Sequence, residues 1–327
     1  MSEPCRAVIG SKHNFWLHSP VHGFDLTHPL TPESPLIYPR LPLQTTTSRL
    51  VVDPGKTCLV VVDMQNFFLS PCLGRPKDGN GLKACNKLLK FAIPACRKGG
   101  IRIIWLNWGL TQQDLNEMPP ATIRAFGFEV TPCDKDFNMA GTAHESFGAN
   151  HGAEHAERNL SPKAPFRRDP RLYRGLGTEL GLIESEDGTI VDGGRLLMRD
   201  TWNAALYAPL EKARQESLNG KLEREDIWIH KNRLSGLWGT HTDCTKYLLS
   251  MGIRTLLFAG VNTDQCVVGS MQDAFTKGWD CLLLSDGSGT TSPNHSQECV
   301  EYNTAKTLGF VLSCENLAKG VEKMERA

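Results

Sequence analysis

Short apolar runs alternate with helical patterns along most of the chain. Each run holds four to six residues, several of them β-branched, which is typical of a strand buried on both faces. The runs occupy residues 57–62, 101–106, 227–230, 255–258, 281–284 and 309–313, and helical patterns occupy residues 80–98, 240–251, 264–277 and 293–308. This alternation predicts an α/β fold: a doubly wound, mainly parallel six-stranded sheet flanked by helices in three α/β/α layers.

Two stretches interrupt the alternation. Residues 1–54 contain eight prolines, a density that excludes helix interiors and favours extended chain. They predict either a proline-rich N-terminal arm that wraps around the core or a neighbouring subunit, or a disordered tail. Residues 111–225 lack regular patterns until a helical one at 201–217. We therefore expect a single domain at 55–327 with an insertion at about 111–225, near the strand ends, where insertions often cover a functional site.

Composition and charge narrow the range of partners. Lys plus Arg and Asp plus Glu number 36 each, so no basic excess attracts nucleic acid or anionic membranes, and a small-molecule partner is favoured. No apolar run approaches the length needed to cross a bilayer, and the N-terminus lacks the apolar core of a secretory signal. The 11 cysteines are an odd number without a Cys-x-x-Cys pair, which favours reduced thiols and a cytoplasmic protein.

Candidate chemistry lies where the predicted strands end, because ligands of open α/β sheets bind at the carboxyl ends of the strands. Asp63 directly follows the run at 57–62, where partial burial favours an acid or base; a helix or turn cap is the structural alternative. Lys231 directly follows the run at 227–230. A buried ammonium needs an anionic partner, for which Asp63 is the candidate, whereas a lysine that reaches solvent needs none.

Cys266 lies at a predicted strand-to-helix junction. It follows the run at 255–258 and opens the helix at 264–277, for which Thr263 is the expected N-cap. In a first helical turn, the helix dipole and free N–H groups favour a thiolate and can hold an oxyanion. The structural alternative is a buried, inert cysteine. A nucleophile, a proton carrier and a cation that follow three different strands together predict one catalytic cleft.

Four segments, in this order, resemble the isochorismatase-like cysteine hydrolases. The resemblance covers about residues 56–313 apart from the insertion, and its last segment is the most specific. The segments are VVDMQN at 61–66, IIWLNWG at 103–109, KNRLSGLWGT at 231–240 and GVNTDQCV at 260–267.

The resemblance implies roles for the residues at these positions. It implies Asp63, Lys231 and Cys266 as the catalytic set. It also implies a cis peptide bond between Val261 and Asn262, which turns the backbone N–H of Asn262 toward the oxyanion beside that of Cys266. Family members that hydrolyse a vinyl ether typically lack the cysteine, so Cys266 implies a covalent acyl-enzyme.

The resemblance also implies that no catalytic metal is present. Nicotinamidase-like members carry an Asp-x-His metal motif after the second strand, and here residues 107–109 read Asn-Trp-Gly. The histidines of the insertion lack the order of a zinc-protease helix; they are His144, His151 and His155. We therefore expect neither a metal nor another cofactor.

Two of the segments look like those of the ureidoacrylate and related carbamoyl amidohydrolases. On that resemblance, Asn107 is expected to hydrogen-bond a urea or carboxamide group of the substrate. Three aromatic side chains are expected to form apolar walls, with core filling as the structural alternative: Phe68, Trp108 and Trp238.

The resulting hypothesis is a homo-oligomeric cysteine hydrolase, a dimer or tetramer, that cleaves a C–N amide or ureide bond of a small molecule through a thioester. One alternative is an isochorismatase-type hydrolase that cleaves a vinyl ether without a covalent intermediate. The other is a non-catalytic binding or scaffold protein whose arm and insertion recognise a partner.

Overall fold

The computed structural model describes residues 6–128, 173–221 and 224–326. The chain forms two compact units. The first comprises Met1–Met64, Lys77–Asn107 and Leu206–Ala327, and the second comprises Gln65–Pro76 and Trp108–Ala205. Within the described ranges, no helix combines the length and the apolar character needed to cross a membrane.

Strands and helices are numbered along the chain. The strands are β1 (Ala7–Ser11), β2 (Asn14–Ser19), β3 (Gly23–Leu26), β4 (Leu41–Gln44), β5 (Arg49–Val52), β6 (Thr57–Val62), β7 (Arg102–Trp108), β8 (Leu182–Glu184), β9 (Ile190–Asp192), β10 (Ile227–Lys231), β11 (Thr255–Val261), β12 (Asp280–Gly289) and β13 (Phe310–Leu312). The α-helices are α1 (Asn66–Leu69), α2 (Asn80–Lys87), α3 (Ile93–Gly99), α4 (Gln112–Asn116), α5 (Pro120–Ala125), α6 (Ala208–Glu216), α7 (Asp243–Ser250), α8 (Val268–Thr276), α9 (Asn294–Asn303) and α10 (Cys314–Glu322).

The first unit is built around a six-stranded sheet in the order β10-β7-β6-β11-β12-β13. The pairings of β6 with β7 and β11, and of β12 with β11 and β13, are parallel. Every residue of β6 and of β11 is buried, as strands covered by helices on both faces require. The predicted α/β fold with a six-stranded sheet is confirmed. Its parallel strands bring the carboxyl ends of β10, β7, β6 and β11 to one edge.

Four strands extend beyond the carboxyl ends of their predicted apolar runs: β7, β10, β11 and β12. β7 continues through Asn107 and Trp108, and β12 continues through the glycine-rich residues 286–289. Backbone pairing accounts for the extensions of β11 and β12: Ser288 and Gly289 pair with Gly260 and Val261 after a register shift. The run of apolar residues therefore marks the centre of each strand but not its end.

The N-terminal residues fold as a five-stranded sheet of the first unit, in the order β1-β2-β3-β5-β4. Pro42 lies in β4, an edge strand, where a missing N–H costs no hydrogen bond of the sheet. Two side chains reach Asp280 at the start of β12: Trp16 of β2 donates from Nε1 at 2.9 Å, and Nε2 of His28, which follows β3, lies 2.6 Å away. The extended chain that the prolines predicted thus forms paired strands instead of a free tail.

Prolines also explain two differences between predicted and observed helices. The helix predicted at 80–98 is interrupted by a wider π-helical turn, Leu88–Ala92, just before Pro94, which lacks the N–H of a regular helix. The helix predicted at 201–217 begins only at Ala208, where Pro209 occupies the first turn.

The second unit contains α1, α4, α5 and the antiparallel hairpin β8–β9. Phe126 packs against Phe67 and Trp108, with ring centroids 6.4 and 5.1 Å apart. The buried amide of Gln65 donates from Nε2 to the carbonyls of Trp108, at 2.7 Å, and Ala204, at 2.6 Å. Much of the insertion expected at 111–225 belongs to this unit, whereas α6 belongs to the first.

Gly260 permits the close approach of β11 to β6. Its φ is +116°, and a Cβ built there would lie 2.1 Å from the carbonyl oxygen of Val62. We expect Gly260→Ala to lower the free energy of unfolding by more than the roughly 1–3 kcal/mol of backbone strain alone, because the clash is with backbone. Urea denaturation measures the change. The control is Gly252→Ala, whose φ is +64° but whose Cβ would meet no atom within 4 Å. Equal losses in both variants would contradict the steric argument.

Candidate active site

Asp63 lies at the carboxyl end of β6 in an uncommon backbone conformation. Its φ is +52°, in the left-handed region, and the residue is fully buried. Its N–H donates to the carbonyl of Leu106 in β7 at 3.0 Å, which fixes the backbone where the strand ends. A buried carboxylate on left-handed backbone is costly, and such residues cluster at functional sites.

Lys231 is the last residue of β10, two strands away from β6 in the sheet. Its Nζ lies 2.9 Å from Oδ2 of Asp63, and both side chains are 1% exposed. It also donates to the carbonyl of Arg233 at 3.2 Å. The anionic partner that the sequence predicted for Lys231 is therefore Asp63. The geometry excludes a lysine whose head reaches solvent.

Cys266 lies in the turn that follows β11, the strand on the other side of β6. The turn is π-helical, Thr263–Val267, and leads into α8; Cys266 is 4% exposed. Its cap residue is Asn262 rather than the predicted Thr263, which already lies inside the turn. The peptide bond between Val261 and Asn262 is cis. The structure thus places Cys266 beyond the carboxyl end of a strand that pairs directly with the one preceding Asp63.

Two hydrogen bonds that the sequence did not predict anchor this turn. Thr290, just after β12, donates from its hydroxyl to Oδ1 of Asp264, and Thr263 donates to Oε1 of Gln297 at 3.2 Å. The partners are 26 and 34 residues apart in sequence, so no local pattern signals them. The two contacts hold the residues three and two positions before the cysteine.

Asn107 lies at the carboxyl edge of β7, between β10 and β6. It stands one residue beyond Leu106, whose register partner is Val62, and is therefore level with Asp63. Its side chain is fully buried, and neither Nδ2 nor Oδ1 has a hydrogen-bond partner among the described residues. An unsatisfied buried amide costs about 1–3 kcal/mol per group, so the position favours a ligand that supplies both an acceptor and a donor.

Comparison with known proteins shows which enzymes this chain is similar to. An isochorismatase domain model matches residues 199–314, which include Lys231 and Cys266. The ureidoacrylate amidohydrolase RutB of Agrobacterium fabrum is 25% identical over 265 residues, which cover 80% of this chain and 88% of the relative. The RutB of Caulobacter segnis is 23% identical over 291 residues, covering 88% and 93%. The chain is therefore similar to the isochorismatase-like hydrolases. Among solved structures, an isochorismatase family protein from Desulfovibrio vulgaris aligns with a TM-score of 0.48 and 15% identity, covering 82% of this chain and 98% of that one.

The three aromatic residues predicted as substrate walls differ in their surroundings. Trp238, in the first unit, is 52% exposed; it donates from Nε1 to Asn232 at 3.2 Å and stacks under Arg233. In the second unit, Phe68 is half-buried against Phe67, and Trp108 is fully buried. A residue that only fills the core would be fully buried, as Trp108 is. Its role as an apolar wall of the substrate pocket therefore stays a prediction.

No group of three His, Cys, Asp or Glu side chains in the described ranges of this hydrolase is arranged to hold a metal ion. His144, His151 and His155 lie outside the described residues. The expectation of a metal-independent site therefore stays a prediction.

Besides Cys266, six cysteines in the described ranges are buried thiols: Cys58, Cys85, Cys96, Cys244, Cys281 and Cys314. Burial raises the pKa of each, to about 12 for Cys85 and Cys244. A raised pKa leaves little thiolate at neutral pH, and the thiolate is the form that reacts with alkylating reagents.

We expect iodoacetamide at pH 7.5 to label the exposed Cys299 of the native protein and to leave these six unlabelled. Peptide mass mapping measures the labelling, and urea-unfolded protein provides the control in which all become reactive. Rapid labelling of any of the six in native protein would contradict their burial.

Proposed function

We propose that the chain is a cysteine-dependent amidohydrolase that cleaves an amide or ureide C–N bond through a thioester. The observation that carries the proposal is the buried ion pair between Lys231 and Asp63, beside the strand that leads to Cys266. Desolvation makes such a pair a weak source of stability, so its presence at a ligand-binding sheet edge favours a catalytic role.

The named relatives support the bond type. The RutB proteins, which this chain resembles at 23–25% identity, are ureidoacrylate amidohydrolases. A ureido or carboxamide group presents a carbonyl acceptor and N–H donors. Asn107 offers the complementary pair, Nδ2 and Oδ1, with no partner for either in the described part of the chain. We infer that Asn107 orients this group of the substrate next to Asp63.

The proposed reaction has two stages. In the first, the carboxylate of Asp63 takes the proton of the Cys266 thiol, Lys231 stabilises the resulting thiolate, and the sulfur attacks the carbonyl carbon. Backbone N–H groups of Asn262 and Cys266 hold the oxyanion, and Asp63 passes the proton to the leaving nitrogen as the C–N bond breaks. In the second, Asp63 activates water, which cleaves the thioester and restores the thiol. The sum is amide plus water to acid plus amine.

Trapping the intermediate tests this proposal. The purified chain is incubated with a panel of carbamoyl amino acids, ureides, aryl amides and a vinyl ether, and product release and intact mass are followed together. We expect turnover of at least one ureide or amide, and an acyl adduct that peptide mapping places on Cys266. Turnover of the vinyl ether without any adduct would contradict the covalent route and favour the non-covalent alternative. No turnover of any compound would favour a binding protein.

Two further expectations also stay predictions: a homo-oligomer, dimer or tetramer, and a cytoplasmic location. Sedimentation velocity of the full chain tests the first. A single species with the mass of one chain, 36.2 kDa, would contradict it.

A further inference from the structure

A cavity of about 650 Å³ lies at the amino-terminal edge of the six-stranded sheet. Arg102, which begins β7, and Asp226, which directly precedes β10, both line it. Lys231 lies at the other end of β10. Because a strand rises about 3.3 Å per residue, the five steps from Asp226 to Lys231 span roughly 17 Å. The cavity is therefore separate from the candidate active site.

The walls of this cavity carry an excess of positive charge. Among the described residues that line it, two carboxylates, Glu225 and Asp226, stand against five cationic side chains, an excess of 5 − 2 = 3: Arg97, Lys98, Arg102, Arg224 and Arg326. Of these five, Arg97 alone forms ion pairs with carboxylates of the described residues, at 2.9 Å to Asp226 and 4.0 Å to Glu216. Like charges gathered without counter-ions repel one another, and a bound anion relieves that repulsion.

Three of the four arginines have neutral hydrogen-bond partners, and only Arg97 also pairs with carboxylates of the described residues. Arg224 donates from Nη1 to the carbonyl of Gly100 at 3.0 Å, and Arg97 donates from Nη2 to that of Ala213 at 2.6 Å. Arg102 hydrogen-bonds the hydroxyl of Tyr247, and burial raises the pKa of Tyr247, so that phenol supplies no counter-charge at neutral pH. These three guanidinium groups are thus positioned before any ligand binds.

We propose that this cavity binds a small multivalent anion with adjacent phosphate groups, such as a di- or triphosphate. Four of the five cations are arginines, whose planar forks bind phosphate oxygens in bidentate fashion. The volume falls within the roughly 300–1,000 Å³ range of small-molecule sites. Its concave form and the neutral net charge of the whole chain favour a compact ligand over a nucleic acid.

Isothermal titration of the full chain with inorganic pyrophosphate tests the proposal. We expect saturable binding of one pyrophosphate per chain, with weaker binding of orthophosphate. The double variant Arg224→Glu/Arg326→Glu, at two exposed positions, should bind at least about tenfold more weakly. The charge-matched control is Lys12→Glu/Lys306→Glu, also at exposed positions but outside the cavity, which should bind as the unmodified chain does.

Several results would overturn the proposal. They are an absence of saturable binding, equal binding by both double variants, and an identical heat signal from potassium chloride at matched ionic strength. Cys266→Ala should bind pyrophosphate unchanged, and a loss there would place the anion in the candidate active site instead. Sedimentation of the ligand-free charge-reversal variant should match that of the unmodified chain; a changed mass would make the cavity a contact between subunits.

Discussion

Cys266→Ala is expected to lower turnover by at least about a thousandfold while the protein stays folded. The substitution removes the sulfur atom that the proposed mechanism uses as its nucleophile. It removes little else, because alanine fits a small buried position in the turn before α8 without new polar atoms. Steady-state kinetics with the best ureide or amide of the panel measures the loss, and far-UV circular dichroism verifies the fold.

Cys281→Ala is the matched control for this variant. Cys281 is also a buried cysteine, 1% exposed, but it lies near the start of β12, away from the carboxyl edge. Its replacement should cost some stability through the small cavity it leaves and should spare turnover. If Cys266→Ala kept more than a tenth of the original rate, the thioester route would be wrong, even with Asp63 and Lys231 in place.

Much of the fold follows from local physical constraints that the sequence displays. A run such as TCLVVV can only be buried on both faces, and both β6 and its neighbour β11 are fully buried. Once the strands are parallel, their carboxyl ends must share an edge, so a polar residue directly after each run is brought to that edge. Asp63 and Lys231 were predicted as partners on this argument, and they form an ion pair.

The remaining features depend on contacts between distant segments, which no local pattern encodes. Prolines predicted extended chain at 1–54, but not that its strands would pair with one another and that Trp16 and His28 would reach Asp280. The contact of Thr290 with Asp264 likewise depends on where β12 ends, and β12 continues through glycines that predict a turn. Backbone pairing between strands determines both the N-terminal sheet and the position at which β12 ends.

Lys231→Met is expected to lower the free energy of unfolding by about 3–5 kcal/mol and to abolish turnover. Both members of the ion pair are 1% exposed, so losing the ammonium leaves the carboxylate of Asp63 buried without its 2.9 Å counter-charge. Methionine keeps most of the volume of lysine, which limits the effect of packing. Urea denaturation measures the loss. Lys319→Met, at an exposed pair with Glu315, is the control and should change stability little.

Adding Asp63→Asn to Lys231→Met separates the stability lost through the unpaired charge from the stability lost through altered packing. The double variant has no uncompensated buried charge, so we expect it to recover most of the lost stability, whereas turnover should stay abolished because the proton carrier is gone. A double variant no more stable than Lys231→Met would assign the loss to packing rather than to charge. Turnover in Asp63→Asn alone would remove this carboxylate from the proposed mechanism. If the ion pair serves catalysis, the double variant must therefore regain stability without regaining turnover.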